Sequence, residues 1–533
     1  MKLTINNKEI NVNQGATVLE AAEIAGFQIP NMCYLKDLGH FNSCMICLVK
    51  DLNTGKLLPS CSLIAIDGMN IITDDEEIAD LRKTALELML SDHVGDCEAP
   101  CQTACPAHMN IPLMNRLLAD GQFDKALQIV KQDIALPSVL GLICPAPCEG
   151  ACRRNTIDTA VSICILKKFA ADHGKVEIKL PSTRPERVAI IGAGPAGLAA
   201  AYYLRLNGIK SELFDKNPMA GGALRYSIDD YILPKKILDR EIKEILDIDI
   251  VFHSESNIKP SDFKKMCSEY NAVIVATGEI SPEMFEWNLE YKDKSIIVDK
   301  STYQTNIKNV FAIGNANRVT KYAVRSMGQG KEVAYSIIQM FDNKNIIGEP
   351  RKFNSRFGKL VNEEFSTFLS ESVNNSRITP ASGNIIGFTE TETIAEAARC
   401  LHCDCRKADN CKLRDYSDLY KAQQTRFKDN NRQNVRKFVH HSLVYEPEKC
   451  IKCGLCVRIT EKNKEKLGLT FIGRGFDVEI SVPFNKEIDK ALIETANLVC
   501  DNCPTGAIAR KSVPKKANEV ILGSVSQESS SIS

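Results

Sequence analysis

Twenty-one cysteines in 533 residues limit what this chain can fold into more than any other feature, because they come in groups. They fall at 33, 44, 47 and 61; at 97, 101 and 105; at 144, 148 and 152; at 164; at 267; at 400, 403, 405 and 411; at 450, 453 and 456; and at 500 and 503. Cysteines used for packing scatter, as Cys267 does, whereas ligand sets recur at short spacings. A disulfide framework would need an exported chain, yet "MKLTINNKEINVNQG" has no apolar core and no apolar run reaches about 18 residues. The sequence therefore predicts a cytoplasmic chain with no membrane span and reduced thiols free to bind metal. Lysine plus arginine (67) equals aspartate plus glutamate (67), so no global charge argues for nucleic acid or an anionic membrane.

The patterning predicts a multidomain α+β and α/β protein. "MKLTINNKEINV" alternates about Asn6-Asn7 as a hairpin, and "ATVLEAAEIAG" reads as a short helix closed by Gly26, which suits a small β-grasp domain over 1–75. Residues 76–180 read as helical, with periodic stretches such as "MNRLLADGQFDKALQIVKQD" broken by two cysteine loops. Residues 181–345 alternate strands and helices as a Rossmann-like domain. The stretch 346–445 reads as a polar linker holding a four-cysteine motif. A compact cysteine domain of ferredoxin-like character covers 446–512, and 513–533 reads as a disordered tail.

Cys33, Cys44, Cys47 and Cys61 have the spacing C-x10-C-x2-C-x13-C, and four thiolates so placed can hold a [2Fe-2S] centre or a structural zinc. With the β-grasp pattern before it, this segment resembles the N-terminal [2Fe-2S] domain of iron-only hydrogenases, NAD-linked formate dehydrogenases and the large iron-sulfur subunit of complex I. "DHVGDCEAPCQTACP" and "CPAPCEGAC" are similar to the paired loops of the NADPH-dependent glutamate synthase small subunit and dihydropyrimidine dehydrogenase. That resemblance implies two [4Fe-4S] centres, one on Cys97, Cys101 and Cys152, the other on Cys105, Cys144 and Cys148. Each lacks a fourth ligand. His93, four residues before Cys97, resembles the histidine of a complex I cluster and is a candidate for the first, or a solvated loop histidine. Cys164, in "VSICILKKFAADHG", is a candidate for the second, or a small buried residue.

"RVAIIGAGPAGLAAAYYLRLNGIKSELFD" places Gly192, Gly194, Pro195, Ala196 and Gly197 between a strand and a helix, the arrangement that sets a pyrophosphate on a helix N-terminus. Asp215 ends the next strand, where a carboxylate can accept from ribose hydroxyls. Gly221, Gly222 and Arg225, in "GGALRYSIDDYILPKK", resemble elements of the glutamate synthase small subunit, and Gly278 closes the strand "AVIVATG". "FAIGNA", with Gly314 and Asn315, resembles that family's second FAD strand, with asparagine where aspartate is usual. The resemblance implies FAD. In such proteins a second glycine-rich unit normally follows and holds NAD(P)H, but only 30 residues separate Gly278 from Asn309, and they contain no glycine. A βαβ unit alone takes about 30 residues. The nicotinamide domain is thus expected to be missing.

"CLHCDCRKADNC" presents Cys400, Cys403, Cys405 and Cys411, for which a [4Fe-4S] cluster is favoured, although four thiolates also satisfy zinc. Cys450, Cys453 and Cys456 form a ferredoxin run in which Thr460 replaces the fourth cysteine, and Cys503-Pro504 supplies the missing ligand. "FIGRGFDVEISVPF" between them resembles the same stretch of formate dehydrogenases and iron-only hydrogenases. The expected inventory is FAD, one [2Fe-2S] and three to four [4Fe-4S] centres. The expected function is an oxidoreductase subunit that passes electrons between redox partners, whether diaphorase-like, hydrogenase- or formate dehydrogenase-like, or a ferredoxin. No catalytic residue stands out. Two alternatives are a self-contained flavin reductase of a small organic substrate and a structural iron-sulfur scaffold.

Overall fold

The computed structural model describes residues 1–427 and 433–511, so the tail read over 513–533 lies outside it. Asn6 and Asn7 both take left-handed backbone angles, φ 46° and 63°, the geometry whose twist suits a two-residue hairpin, and fold Lys8–Asn11 back on Lys2–Ile5. Thr17 and Glu20 form a reciprocal capping box that starts the helix Val18–Ala25, and Gly26 at φ 90° ends it. Asn70–Ile72 then inserts parallel to Lys2–Ile5 and antiparallel to Leu48–Asp51, completing a five-stranded sheet that shares one apolar core with the helix.

Residues 76–173 are helical, from Glu76–Asp92 to Ile163–His173. Beyond them five parallel strands lie in the order Val310–Ala312, Ala272–Val275, Arg187–Ile191, Lys210–Phe214, Val251–His253. The helix Pro195–Leu206 leaves the central strand and is crossed closely by Ala323–Phe341. Gly330 permits that approach, because a Cβ there would sit 2.6 Å from the Ala196 carbonyl oxygen. Between Gly278 and Asn309 the chain makes a 3₁₀ stretch, Pro282–Trp287, and a hairpin of Tyr291–Lys292 with Ser295–Ile296. Trp287 stacks on Phe263 at 4.3 Å and seals this insert to the sheet's helix Pro260–Glu269. Among the described residues there is one dinucleotide fold, with no second unit in the gap.

The stretch read as a linker is packed rather than merely connecting. Thr389 and Glu392 cap the helix Glu390–Ala397. Glu396 accepts from the N–H groups of Ser162 and Ile378, both at 2.8 Å. Arg399 donates to Glu396 at 2.8 Å and to the carbonyls of Thr159 (2.7 Å) and Asn375 (2.8 Å). Both side chains are 0% exposed, so this ion pair carries its full set of hydrogen bonds in the interior, which a buried pair requires. It clamps the segment before Cys400 onto the helical domain. At the C-terminal side Phe438–Val439, Leu443–Tyr445 and Ile508–Arg510 form an antiparallel sheet against Leu455–Lys462 and Ala496–Asn502. No single described helix is long and apolar enough to cross a membrane.

Candidate metal centres and dinucleotide site

Cys33, Cys44, Cys47 and Cys61 are all buried and meet: the Cys33 thiol lies against those of Cys44 and Cys61, and Cys47 against Cys61. Such contacts hold the Cys33 thiol well below its usual range and push that of Cys61 well above. Thiols this close cannot all ionise without a cation among them, which is the donor chemistry an iron-sulfur centre satisfies.

Cys144, Cys148 and Cys164 form a second group, and Cys105 joins them around Lys167, on which all four thiols act. Cys164 lies against both Cys144 and Cys148. It sits in the first turn of Ile163–His173, where its backbone N–H donates to Glu149 at 3.0 Å.

The remaining helical-domain cysteines are grouped differently from the expectation. Cys101 and Cys152 share a small apolar cavity with Cys400 and Cys403, not with Cys97. Burial, then the neighbouring charges of Cys400, Cys152 and Cys403, push Cys101 well above the usual thiol range. Cys97 instead keeps company with Cys405 and Cys411: the Cys405 N–H donates to the Cys97 carbonyl at 3.2 Å, and burial followed by the charges of Cys405 and Cys97 pushes Cys411 up to about 12. The four-cysteine loop is therefore split between two sites rather than closing on one. His402 at φ 48° turns the chain between Cys400 and Cys403, and Asp404, paired with buried Arg116, turns it again before Cys405. His93 caps the helix Glu76–Asp92 on the segment leading to Cys97, away from the Cys101 and Cys152 cavity that was its expected place. Val94 in the same segment donates to the Glu448 carbonyl at 2.9 Å.

Cys450, Cys453, Cys456 and Cys503 line one further small cavity, with Pro504 beside them. Cys500 points elsewhere and is absent from that lining. Arg458, which no spacing rule singles out, donates to the carbonyls of Cys33 (2.8 Å) and Cys453 (3.4 Å) and so ties this group to the first.

In the dinucleotide fold Gly192 at φ 111° could not carry a side chain, since a Cβ would lie 2.3 Å from the Ala276 carbonyl oxygen. Gly194 and Gly222 face each other, and a Cβ on Gly222 would come within 2.7 Å of the Gly194 Cα. Above Gly278, at φ 80°, a Cβ would meet nothing within 4 Å. The first turn of Pro195–Leu206 has no side-chain cap, so its N–H groups are available to a phosphate. Pro195 opens that turn at the first helical position and Ala196 follows it. These features fit a bound dinucleotide. Asp215 braces the loop: its carboxylate accepts from Ala193 N–H at 2.8 Å and from Asn217 N–H at 2.9 Å. Gly221, at φ 129°, leads into the turn, and Arg225 donates to the Ala220 carbonyl at 2.7 Å. Gly314 N–H donates to Gln329 at 2.6 Å, and Asn315 accepts from Thr320 N–H at 2.9 Å.

Comparison with known proteins assigns domain classes to these parts. Residues 1–76 match a 2Fe-2S iron-sulfur cluster binding domain, and 77–178 match dihydropyrimidine dehydrogenase domain II, 4Fe-4S cluster. Residues 190–240 match an NAD(P)-binding Rossmann-like domain, and 439–509 match the ferredoxin-like domain of NADH-quinone oxidoreductase subunit 3. The NADPH-Fe(3+) oxidoreductase subunit beta of Geobacter sulfurreducens is 36% identical over 189 residues, 34% of this chain and 28% of the relative. The NADP(+)-dependent formate dehydrogenase subunit beta of Moorella thermoacetica is 35% identical over 207 residues, covering 34% and 29%. The glutamate synthase [NADPH] small chain of Azospirillum brasilense is 32% identical over 198 residues, covering 35% and 41%. The chain thus spans less than half the length of these curated relatives. It combines 2Fe-2S and 4Fe-4S domains with a Rossmann-like dinucleotide domain, and its relatives are oxidoreductase subunits.

Proposed function

We propose that this chain is an oxidoreductase subunit that conducts electrons between FAD at the Gly192 loop and redox partner proteins through five iron-sulfur centres. Cys33, Cys44, Cys47 and Cys61 hold a [2Fe-2S] centre. Four [4Fe-4S] centres fall to Cys450, Cys453, Cys456 and Cys503; to Cys97, Cys405 and Cys411; to Cys101, Cys152, Cys400 and Cys403; and to Cys105, Cys144, Cys148 and Cys164. His93, four residues before Cys97, is the fourth donor of the three-cysteine group. When bound, a flavin exchanges electrons singly or in pairs and iron-sulfur centres exchange them singly.

The observation that carries this reading is that consecutive groups are joined by protein contacts. Arg458 bridges the backbone at Cys33 and Cys453. Lys412, next to Cys411, donates to the Pro504 carbonyl beside Cys503 at 2.9 Å. Cys403 and Cys405 share one loop, and Cys101 lies in the short helix Pro100–Ala104 that Cys105 ends. Pro106, after Cys105, packs so closely on Gly328 that a Cβ there would lie 2.7 Å from its carbonyl oxygen, and Gly328 belongs to the helix crossing Pro195–Leu206. Contacts thus link the groups in turn from the β-grasp domain to the helix that crosses Pro195–Leu206.

Anaerobically purified protein should contain about 18 irons and release FAD. Fewer than about 8 irons with stoichiometric zinc would overturn the centres. Release of NAD(P) in place of FAD would overturn the flavin. Hydride transfer needs a nicotinamide aligned on the flavin, and the insert between Gly278 and Asn309 provides no second nucleotide fold. The purified chain should therefore be reduced by dithionite but not by NADPH at catalytic rates. Electrons from a nicotinamide would enter through a separate diaphorase-like partner docked near the Cys33 loop.

A further inference from the structure

Two adjacent lysines on the helix Ile163–His173 have opposite surroundings. Lys168 is paired with Asp172 and donates to the Ile386 carbonyl at 3.3 Å. Lys167 is 3% exposed, yet no carboxylate or carbonyl among the described residues lies within hydrogen-bonding distance of its ammonium. A lone buried ammonium is costly, and burial normally implies a counter-charge. Lys167 lies one turn beyond Cys164, hence on the same helix face, and the strongest charges acting on it are the thiols of Cys164, Cys144, Cys148 and Cys105. The acid nearest that loop, Glu149, is already taken by Arg377 at 2.7 Å.

Most of the buried cations beside the other cysteine groups are matched by an acid, although Lys407 is held by carbonyls alone, those of Cys500 at 3.0 Å and Cys503 at 2.6 Å. Arg116 pairs with Asp404, Arg153 with Asp96, Arg414 with Glu98 and Lys449 with Glu446. An acid so placed offsets part of its cation's field at the thiols, and Lys167 has no such partner. We infer that Lys167 is the fixed counter-charge of the centre on Cys105, Cys144, Cys148 and Cys164, and raises its reduction potential. Each electron that enters makes a four-thiolate centre more negative, so an uncancelled buried cation favours the reduced form. This inference rests on the reading that those four cysteines hold a cluster.

The test is an EPR-monitored redox titration of the full chain, wild type against Lys167→Met, Lys167→Arg and Lys168→Met. In Lys167→Met the reduced-to-oxidised ratio of one centre should fall at least tenfold at fixed potential, a 59 mV drop for a one-electron couple. Lys167→Arg should restore it, and Lys168→Met should leave it unchanged. An unchanged midpoint in Lys167→Met with its iron intact would overturn the inference. If Lys167→Met loses the centre, Lys167→Gln is titrated against Lys167→Arg, and equal midpoints would overturn it. A wild-type protein whose Cys164→Ala variant loses no centre would instead refute the cluster reading, before any potential is compared.

Discussion

Cys105, Cys144, Cys148 and Cys164 are assembled within 60 residues of one helical domain, whereas the sites fed by the 400–411 loop draw thiols from segments some 300 residues apart. The first group is held by short-range geometry: a loop and the first turn of a helix bring Cys144 and Cys148 to Cys164. The second is held by buried ion pairs that dock one stretch of chain on another, Glu396–Arg399 before Cys400 and Arg116–Asp404 before Cys405. The difference teaches that a local set can be read from spacing, while a remote set is chosen by whatever fixes its loop. It also makes the remote sites the vulnerable ones.

Removing the clamp should have the largest effect. Arg399→Ala leaves Glu396 charged and buried, at a cost of about 3–5 kcal/mol, and denaturant unfolding should show this together with loss of the Cys101, Cys152, Cys400 and Cys403 centre. The Cys105 centre should survive, and its loss instead would erase the contrast between the two regions.

Glu371 comes next. Burial opposes its charge, but Arg406 at 2.7 Å and Lys437 at 3.3 Å outweigh that and hold the carboxyl at about 2. Because the folded value is depressed, its contribution is complete above about pH 4.5 and is lost as the pH falls toward 2. Glu371→Gln should cost about 3 kcal/mol at pH 7 and flatten the acid limb of the stability curve. An unchanged acid limb would mean that this pair does not anchor the segment after Cys405.

Gly330→Ala should follow, at about 1–3 kcal/mol, because the new methyl meets the Ala196 carbonyl and the Ala199 side chain. Flavin content should fall while iron stays constant. Cys267→Ala, outside every cysteine group, should cost less than about 1 kcal/mol and leave each EPR signal in place.

Much of this fold was legible in the sequence. Asn6-Asn7 and Gly26 marked the β-grasp turn and helix end, the spacing from Gly192 to Gly197 marked the strand-loop-helix, and the short gap after Gly278 announced a single nucleotide fold. Those features are written in consecutive residues, and so are the groupings of Cys33 with Cys61 and of Cys450 with Cys456. The resemblance puts Cys101 with Cys152, as the structure does, but the separation of Cys97 from them was not legible. Cys97 and Cys101 precede or begin the helix Pro100–Ala104, and nothing in their spacing shows that Cys101 faces Cys152 while Cys97 faces Cys405. Nor did "CLHCDC" reveal that it divides, since the left-handed turn at His402 falls on a residue with no glycine-like signature. The linker reading of 346–445 failed for the same reason: its buried polar residues are hydrophilic by composition and find their partners only across the fold.

The division of that loop is the central claim, and EPR-monitored redox titration of anaerobically purified Cys403→Ala, Cys405→Ala, Cys101→Ala and Cys97→Ala tests it most directly. Cys403→Ala and Cys101→Ala should lose or convert one and the same [4Fe-4S] signal, while Cys405→Ala and Cys97→Ala lose a different one. If Cys403→Ala and Cys405→Ala remove the same signal, and Cys97→Ala and Cys101→Ala share another, the loop closes on a single centre and the arrangement described above is wrong.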